Sequence, residues 1–525
     1  MDNASKNPVK RILTVLCGVC TAAFVAHAAT VENPSNPDFL KQYSIRIVDN
    51  RQVLEVSMRD LLSLALERAT AMKTIKLNRQ IAEESLQAAR ESNNPAITNS
   101  VKAQKSIGGS LGDEYYMKRT STDITSLGTA LSQKLDNGIT YGFGISESTS
   151  RSGASTKVEK SDSFGDSQSL GDILISSSIS ASVDIPLYQG WGDINRLNEF
   201  QSEIGLEQTT IGGQKSTQDL LHMIAGIYWD LVGILKTIES LESNVKLSKQ
   251  FLDDNKVRHN LGLLDIIEVK QSESQLARVR QTLLQEQVEK KQVEDRIRAA
   301  LKLEELPIGY LPIEELKVKK IDTPFNELLA HVFETDHELQ RLNTQLKLNG
   351  LAQKSALDSD KPDIDLQLGY TMHGFGKSRR EPLEESFDRD SHGYSVGLTW
   401  KIPLFDRVTP QKIQEAILDR SKIDIAIQDR KTQLHIELQA VLRNLQLAEE
   451  GIKLAEISTS LAQDLLEKEV EKFKLGDSTG YRVSRARQDL SDAQKEEIAA
   501  RINFEKTFLS FLTLTNRLME HYRLQ

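Results

Sequence analysis

Prolines punctuate this sequence twice in the same manner, and that duplication limits the chain to folds with two related halves. Ile185-Pro186-Leu187-Tyr188 and Ile402-Pro403-Leu404-Phe405 each close a strand-like segment ahead of a long stretch without proline. The first such stretch runs from Leu187 to Leu306 and the second begins at Gln411. Upstream, two amphipathic helical segments end in similar turns, Ser92-Asn93-Asn94-Pro95 and Ser359-Asp360-Lys361-Pro362. Leu61-Leu62 and Leu328-Leu329 open those segments at an offset of 267 residues. Downstream, Leu261-Gly262 and Leu475-Gly476 interrupt the two long stretches. Both are placed as hairpin tips, where glycine takes the left-handed conformation that ends a helix. Each copy therefore reads helix, strand, strand, long helix, tip, return helix.

The strand segments alternate with period two, the pattern of a sheet with one apolar face. In the second copy Ile364, Leu366, Leu368, Tyr370 and Met372 alternate with Asp363, Asp365, Gln367, Thr371 and His373. Its partner sets Tyr394, Val396, Leu398, Trp400 and Ile402 against Ser395, Gly397, Thr399 and Lys401. In the first copy Ile173, Ile175, Ile179, Val183 and Ile185 alternate with Ser176, Ser178, Ser180, Ser182 and Asp184. Such strands suit a soluble sandwich, or a membrane barrel with lipid on the apolar side. The helical stretches follow heptads, as in Ile224, Ile227, Leu231, Ile234, Ile238 and Leu241, and again in Leu438, Val441, Leu445, Ala448 and Ile452. A second stripe, Leu447, Leu454, Leu461 and Leu465, implies that the later helix has neighbours on more than one side. The stretch from Gln411 to Phe473 is long enough for a helix of about 95 Å, which builds a rod or a wall rather than a globular core.

The N-terminus has the layout of a secretory signal spanning residues 1–28. Lys10 and Arg11 precede an apolar run from Ile12 to Val25, and Ala26-His27-Ala28 supplies the cleavage site. Both cysteines, Cys17 and Cys20, lie in that segment, so the mature chain is expected to carry no disulfide. Its removal takes away a net charge of +2 and moves the formal charge from -9 to -11, which argues against nucleic acid as a partner. No His-Glu-x-x-His pair, no zinc ligand set and no phosphate loop is present, so neither an enzyme nor a cofactor is expected.

On the strand endings Ile185-Pro186-Leu187-Tyr188 and Ile402-Pro403-Leu404-Phe405, the entry helix Leu61 to Arg90, and the tips His259-Asn260-Leu261-Gly262-Leu263 and Phe473-Lys474-Leu475-Gly476-Asp477, the chain resembles the TolC family of outer-membrane channel proteins. The resemblance implies an all-α dominated chain with membrane β-strands. Trimers would close a barrel from four strands per chain, and a long α-helical coiled-coil barrel would extend into the periplasm. It further implies an outer-membrane location in contact with outer-membrane lipid, a homotrimer, a periplasmic adaptor (membrane fusion) protein and an inner-membrane transporter. The function so implied is a passive conduit of a tripartite efflux pump or a type I secretion system. The alternative is a periplasmic coiled-coil scaffold or adhesin without a pore.

On this reading residues 29–302 form the first repeat, with membrane strands about 96–107 and 173–188 and periplasmic helices in 192–302. Residues 303–324 form an equatorial linker carrying a short strand, Leu316 to Ile321. Residues 325–525 form the second repeat, with strands about 363–373 and 393–405 and helices in 411–518. Two departures stand out. Pro95 to Pro186 spans 91 residues where Pro362 to Pro403 spans 41, and the excess in 108–172 contains an Asp136-Asn137-Gly138 hairpin signal. This insert either adds two strands to the sheet or lies in an external loop, and the Ser/Gly-rich stretch Ser146 to Gly171 favours the loop. The second departure concerns the periplasmic gate, where the resemblance implies acidic residues after the second tip. Arg482 and Arg485 stand there instead, while Glu268 follows the first tip. The resemblance also assigns adaptor contacts to Leu261, Gly262, Leu263, Leu475 and Gly476.

Overall fold

The computed structural model describes residues 45–48, 51–112, 116–157, 167–301, 309–314, 323–378, 381–387, 391–402 and 404–524. The expected signal segment 1–28 and the strand expected at Leu316 to Ile321 lie outside the described residues. The described residues open with strands β1 (Ile45–Val48) and β2 (Arg51–Val56), then helices α1 (Met58–Arg68) and α2 (Thr70–Arg90). Four long strands follow, β3 (Ala96–Gly112), β4 (Tyr116–Lys134), β5 (Thr140–Lys157) and β6 (Ser167–Pro186). Helix α3 (Leu197–Asn260) turns at the first tip into α4 (Ile266–Leu301), and β7 (Gly309–Pro312) links the copies. The second copy is α5 (Phe325–Thr335), α6 (His337–Ser359), β8 (Asp363–Gly376), the short α7 (Glu381–Glu385), β9 (His392–Lys401), α8 (Val408–Leu475) and α9 (Gly480–Leu514).

The duplication is visible in detail. The single entry helix expected from Leu61 to Arg90 is two helices, broken at Ala69 with φ -57° and ψ 136°. Asp336 breaks α5 from α6 with φ -66° and ψ 120°, again 267 residues further on. The second break is the better secured. The Asp336 carboxylate accepts from Leu339 N at 2.8 Å and from Arg430 Nη2 at 2.8 Å. The link between the copies supplies β7 at 309–312, pairing parallel to β2 in a three-stranded sheet with β1.

The larger sheet overturns two expectations. Among the described residues it contains six strands, in the order β3-β4-β5-β6-β8-β9, not four, and every neighbouring pair is antiparallel. Of the two readings of the insert, added strands and not loop are what the described residues show. Residues 116–134 and 140–157 are the sheet's second and third strands. The Asp-Asn-Gly turn between them points back to the helices, where Asn137 O accepts from Gly192 N at 3.0 Å and Asn93 Nδ2 donates to Asp136 Oδ1 at 3.1 Å. Serine and glycine read as loop composition because they occupy a single face. In β5 the small residues Gly142, Gly144, Ser146 and Ser148 alternate with Tyr141, Phe143 and Ile145.

The helices form a wall one layer deep. Near the sheet its order is α2-α3-α6-α8, and beyond the waist it is α4-α3-α9-α8. Helix α3, at 64 residues, would run about 96 Å and α8, at 68 residues, about 102 Å, so each passes through both levels. The heptad stripes point inward as their spacing demands. Ile224, Leu231, Ile238 and Leu241 of α3 are buried, as are Leu434, Leu438, Leu445, Ala448 and Ile452 of α8. The main core sits at the waist, where Leu54, Met58, Leu61 and Leu62 meet Leu221, Ile224 and Tyr228 of α3 and Val293, Ile297 and Leu301 of α4, closed by Leu438, Phe508 and Leu512. Among the described residues one helical segment, Gly192–Asn260, is by length and hydropathy able to cross a membrane. Its apolar residues between Leu220 and Val232 contribute to the waist core.

Candidate functional site

Two regions carry chemistry that the waist does not: the faces and edges of the six-stranded sheet, and the helical tips at the opposite end. In antiparallel sheets directly paired residues project to the same face. The register aligns Ile97, Leu131, Phe143, Ala181, Tyr370 and Tyr394 in one row across all six strands. That face is open. Tyr394 is 83% exposed, Val396 77% and Phe143 55%. One residue along, Thr98, Ala130, Gly144, Ser180, Thr371 and Gly393 form the matching row of the other face. Hydroxyls ladder across it, with Ser146 Oγ 2.7 Å from Ser178 Oγ and Ser148 Oγ 2.8 Å from Ser176 Oγ. Charges on that face gather at the helix end, in Lys134, Asp184, Asp363, Asp365 and Lys401. Beyond them Lys102 carries the one formal charge among the described side chains.

An apolar band on one face and water-compatible hydroxyls on the other is the composition of a membrane barrel wall. The sheet of one chain is not closed, and β3 and β9 are left with a free edge each. Those edges continue into the helical layer, since β3 follows α2 and β9 precedes α8. Along α8 the second stripe expected to need a neighbour has none among the described residues. Leu447, Leu454, Leu461 and Leu465 are 65%, 68%, 63% and 53% exposed. On the opposite edge Leu77 and Ile81 of α2 and Leu284 and Val288 of α4 are exposed as well.

The two tips are built alike. At the first, Gly262 N donates to His259 O at 2.8 Å and Leu263 N to Arg258 O at 2.9 Å, with Gly262 at φ +74°. At the second, Gly476 N donates to Phe473 O at 3.3 Å and Asp477 N to Lys472 O at 2.9 Å, with Gly476 at φ +86°. Both are the paired capping bonds of a helix that stops on a left-handed glycine. Each cap pushes leucines outward, so Leu261, Leu263 and Leu475 stand exposed at the end of the molecule.

Among the described residues no ion pair joins Glu268 to Arg482 or Arg485. Glu268 lies in the first turn of α4, and its Oε2 is buried against Gly480 without a hydrogen-bond partner among the described residues. Arg485 Nε pairs with Asp489 Oδ1 of its own helix at 3.1 Å, and Arg482 is exposed. A different arginine joins the helices. Arg487 lies 4.5 Å from the Phe251 ring centroid and donates to Leu247 O at 3.2 Å, and burial lowers the pKa of its guanidinium. Phe251 and Phe473 lie 5.5 Å apart between centroids and pack with Val483, a small core that binds the two tips to each other. Between α3 and α4, the buried Asn255 Nδ2 donates to Ser272 Oγ at 2.7 Å, and Ser272 Oγ in turn donates to Glu268 O at 2.8 Å. Phe473 was legible in the tip motif. Arg487 and Asn255 were not, because nothing in a helical sequence distinguishes a charged or polar residue facing a partner helix from one facing water.

The chain matches no protein-family model and no curated protein at a significant level. Its three-dimensional shape does match solved structures. CusC, described in terms of folding and transmembrane channel formation, aligns at TM-score 0.63 with 12% identity, covering 88% of this chain and 92% of that one. The outer membrane protein VceC of Vibrio cholerae aligns at 0.60 with 13% identity over 88% of this chain and 95% of its own. The MtrE outer membrane channel of Neisseria gonorrhoeae, in its open state, aligns at 0.58 with 14% identity over 88% and 89%. With a duplicated strand-and-helix unit, a one-layer helical wall and two glycine-capped tips, the chain has the fold of the TolC-type outer-membrane channels.

Proposed function

We propose that this chain is one subunit of a trimeric outer-membrane channel-tunnel, a passive conduit carrying cargo across the periplasm and the outer membrane. The observation that supports this most directly is the pairing of an apolar face and a hydroxyl face on a sheet whose two edges, and whose helical wall beneath, are both open. A free strand edge and an exposed leucine stripe are costly in water. A head-to-tail contact that places the β9/α8 edge of one copy against the β3/α2 edge of the next satisfies both, and a contact of that kind repeats into a closed ring. The exposed tips Leu261, Gly262, Leu263, Leu475 and Gly476 are the surfaces offered to a periplasmic adaptor, which would couple the duct to an inner-membrane transporter. Glu268, Arg482 and Arg485 sit beside those tips, where they would line the entrance. Tripartite efflux and type I secretion both fit a conduit of this form.

Fractionation of cells expressing the full chain, with semi-native electrophoresis and planar-bilayer recording, tests the proposal. The expected result is outer-membrane recovery, a heat-dissociable trimer and stepwise conductance. A soluble periplasmic product with no trimer and no conductance would instead support the scaffold reading.

A further inference from the structure

We infer that the β4–β5 hairpin is part of the membrane wall, so that three copies close a barrel of eighteen strands as wide as the helical duct it continues. This rests on the trimeric channel proposed above and adds the make-up of its outer opening. Three observations carry it. The apolar row crosses the hairpin without interruption, with Leu131 and Phe143 aligned between Ile97 on one side and Ala181, Tyr370 and Tyr394 on the other. A loop outside the membrane has no reason to keep its apolar residues in register with a lipid-facing band. The strands also have the required length. At 19 and 18 residues, β4 and β5 match the 20 of β6 and exceed the roughly 9–11 that cross a bilayer. Finally, the 135–139 turn is hydrogen-bonded at the helix end of the sheet, which fixes the hairpin as a full traverse and not as a flap at the far end.

The size follows from strand spacing. Strands about 4.8 Å apart and tilted by about 40° give a backbone diameter of about 24 Å for twelve strands and about 36 Å for eighteen. Four helices per chain give twelve in a trimer. At interaxial distances of about 9.5 Å these form a ring about 37 Å across. An eighteen-stranded barrel therefore meets the duct without a step, where a twelve-stranded one would narrow it. The interior of this opening is paved with Ser, Thr and Gly. The charged side chains gather where the sheet meets the helices, at Lys134, Asp184, Asp363, Asp365 and Lys401, with Lys102 beyond them. Such an exit passes cargo by size, and any sorting by charge falls to the helical end.

Single cysteines at Leu131, Phe143, Ser146 and Tyr394, in a background with Cys17 and Cys20 replaced by serine, test this directly. Each is labelled with an environment-sensitive fluorophore in the assembled protein in phosphatidylcholine vesicles. Quenching is then compared between a chain-labelled nitroxide lipid and aqueous iodide. Labels at 131 and 143 are expected to lose fluorescence to the lipid quencher as fully as the label at 394 on β9, while the label at 146 responds to iodide. Labels at 131 and 143 that respond to iodide alone, with 394 still in lipid, would place the hairpin outside the wall and overturn the eighteen-stranded barrel. A label at 394 that is itself confined to water would overturn the channel reading beneath it. Two sites on the hairpin keep the test decisive if one variant folds poorly.

Discussion

Replacing Leu447, Leu454 and Leu461 of α8 together by serine separates the contacts that fold one chain from those that join chains. Full burial of a leucine side chain contributes about 1.5–3 kcal/mol. These three residues are 65%, 68% and 63% exposed in the isolated chain, so assembly has about two thirds of that left to gain at each. The expected loss is about 1–2 kcal/mol per leucine, hence roughly 3–6 kcal/mol per seam between copies. Since 1.4 kcal/mol is a factor of ten, that weakens each seam by at least a hundredfold. None of the three contributes to the buried core of the chain, so helicity should be retained. Semi-native electrophoresis across a temperature series reads the result. The variant should dissociate to monomer well below the parent's transition, with unchanged far-ultraviolet circular dichroism at low temperature. Leu438→Ala is the opposite control. That leucine is fully buried at the waist, and its truncation should cost about 2–5 kcal/mol of chain stability. If the triple serine variant kept the parent's dissociation temperature, the α8 stripe would not be the seam and the head-to-tail ring would be refuted.

Asn255→Ala leaves the buried Ser272 hydroxyl without its donor from α3. It should lower stability by about 1–3 kcal/mol, seen as faster hydrogen exchange in the α3–α4 tip ahead of the waist. Gly262→Ala and Gly476→Ala force a side chain into the left-handed region, at φ +74° and +86°. Each should cost about 1 kcal/mol locally, and cross-linking from the tips to an adaptor should fall while the trimer persists. Arg482→Asp with Arg485→Asp should shift ion selectivity in planar bilayers toward cations if these residues line the entrance, and unchanged reversal potentials would remove them from it. Burial holds His222 below the ordinary histidine pKa of about 6.5, its ring 2.8 Å from Thr513 Oγ1. A depressed folded-state pKa makes this contribution to stability complete above pH about 6.5, and it is lost as pH falls through the folded value. Thermal unfolding should therefore drop between pH 7.5 and 5.5, and His222→Gln should flatten that dependence.

Much of the fold was legible because it is periodic. Heptads within long stretches free of proline leave few alternatives to long helices, which run to 64 and 68 residues, and the repeated Leu-Gly pairs mark both tips. Breaks inside the entry helices were not legible. Ala69 is a strong helix former, and its extended backbone comes from the docking of α1 at the waist, where the residue is 1% exposed. The tip region shows the same division. The resemblance assigned Arg482 and Arg485 to the gate, and both are exposed beside the buried Val483 and Ala486, while the contact of Arg487 with Phe251 is marked by no sequence pattern.

What the sequence determined by itself was the duplication, the order of elements, the alternation of the strands and the glycine-capped tips. Each is set by residues close together in the chain. What only the tertiary structure decided was strand membership. Ser146 to Gly171 has the composition of a loop, and no local property tells a flexible serine-rich segment from a strand whose serines share one face. Pairing with Val183, Ala181 and Ile179 across β6 puts Tyr141, Phe143 and Ile145 in the apolar band and the serines opposite. A partner strand some forty residues away in sequence turned residues 146–157 of the expected loop into a strand of the sheet.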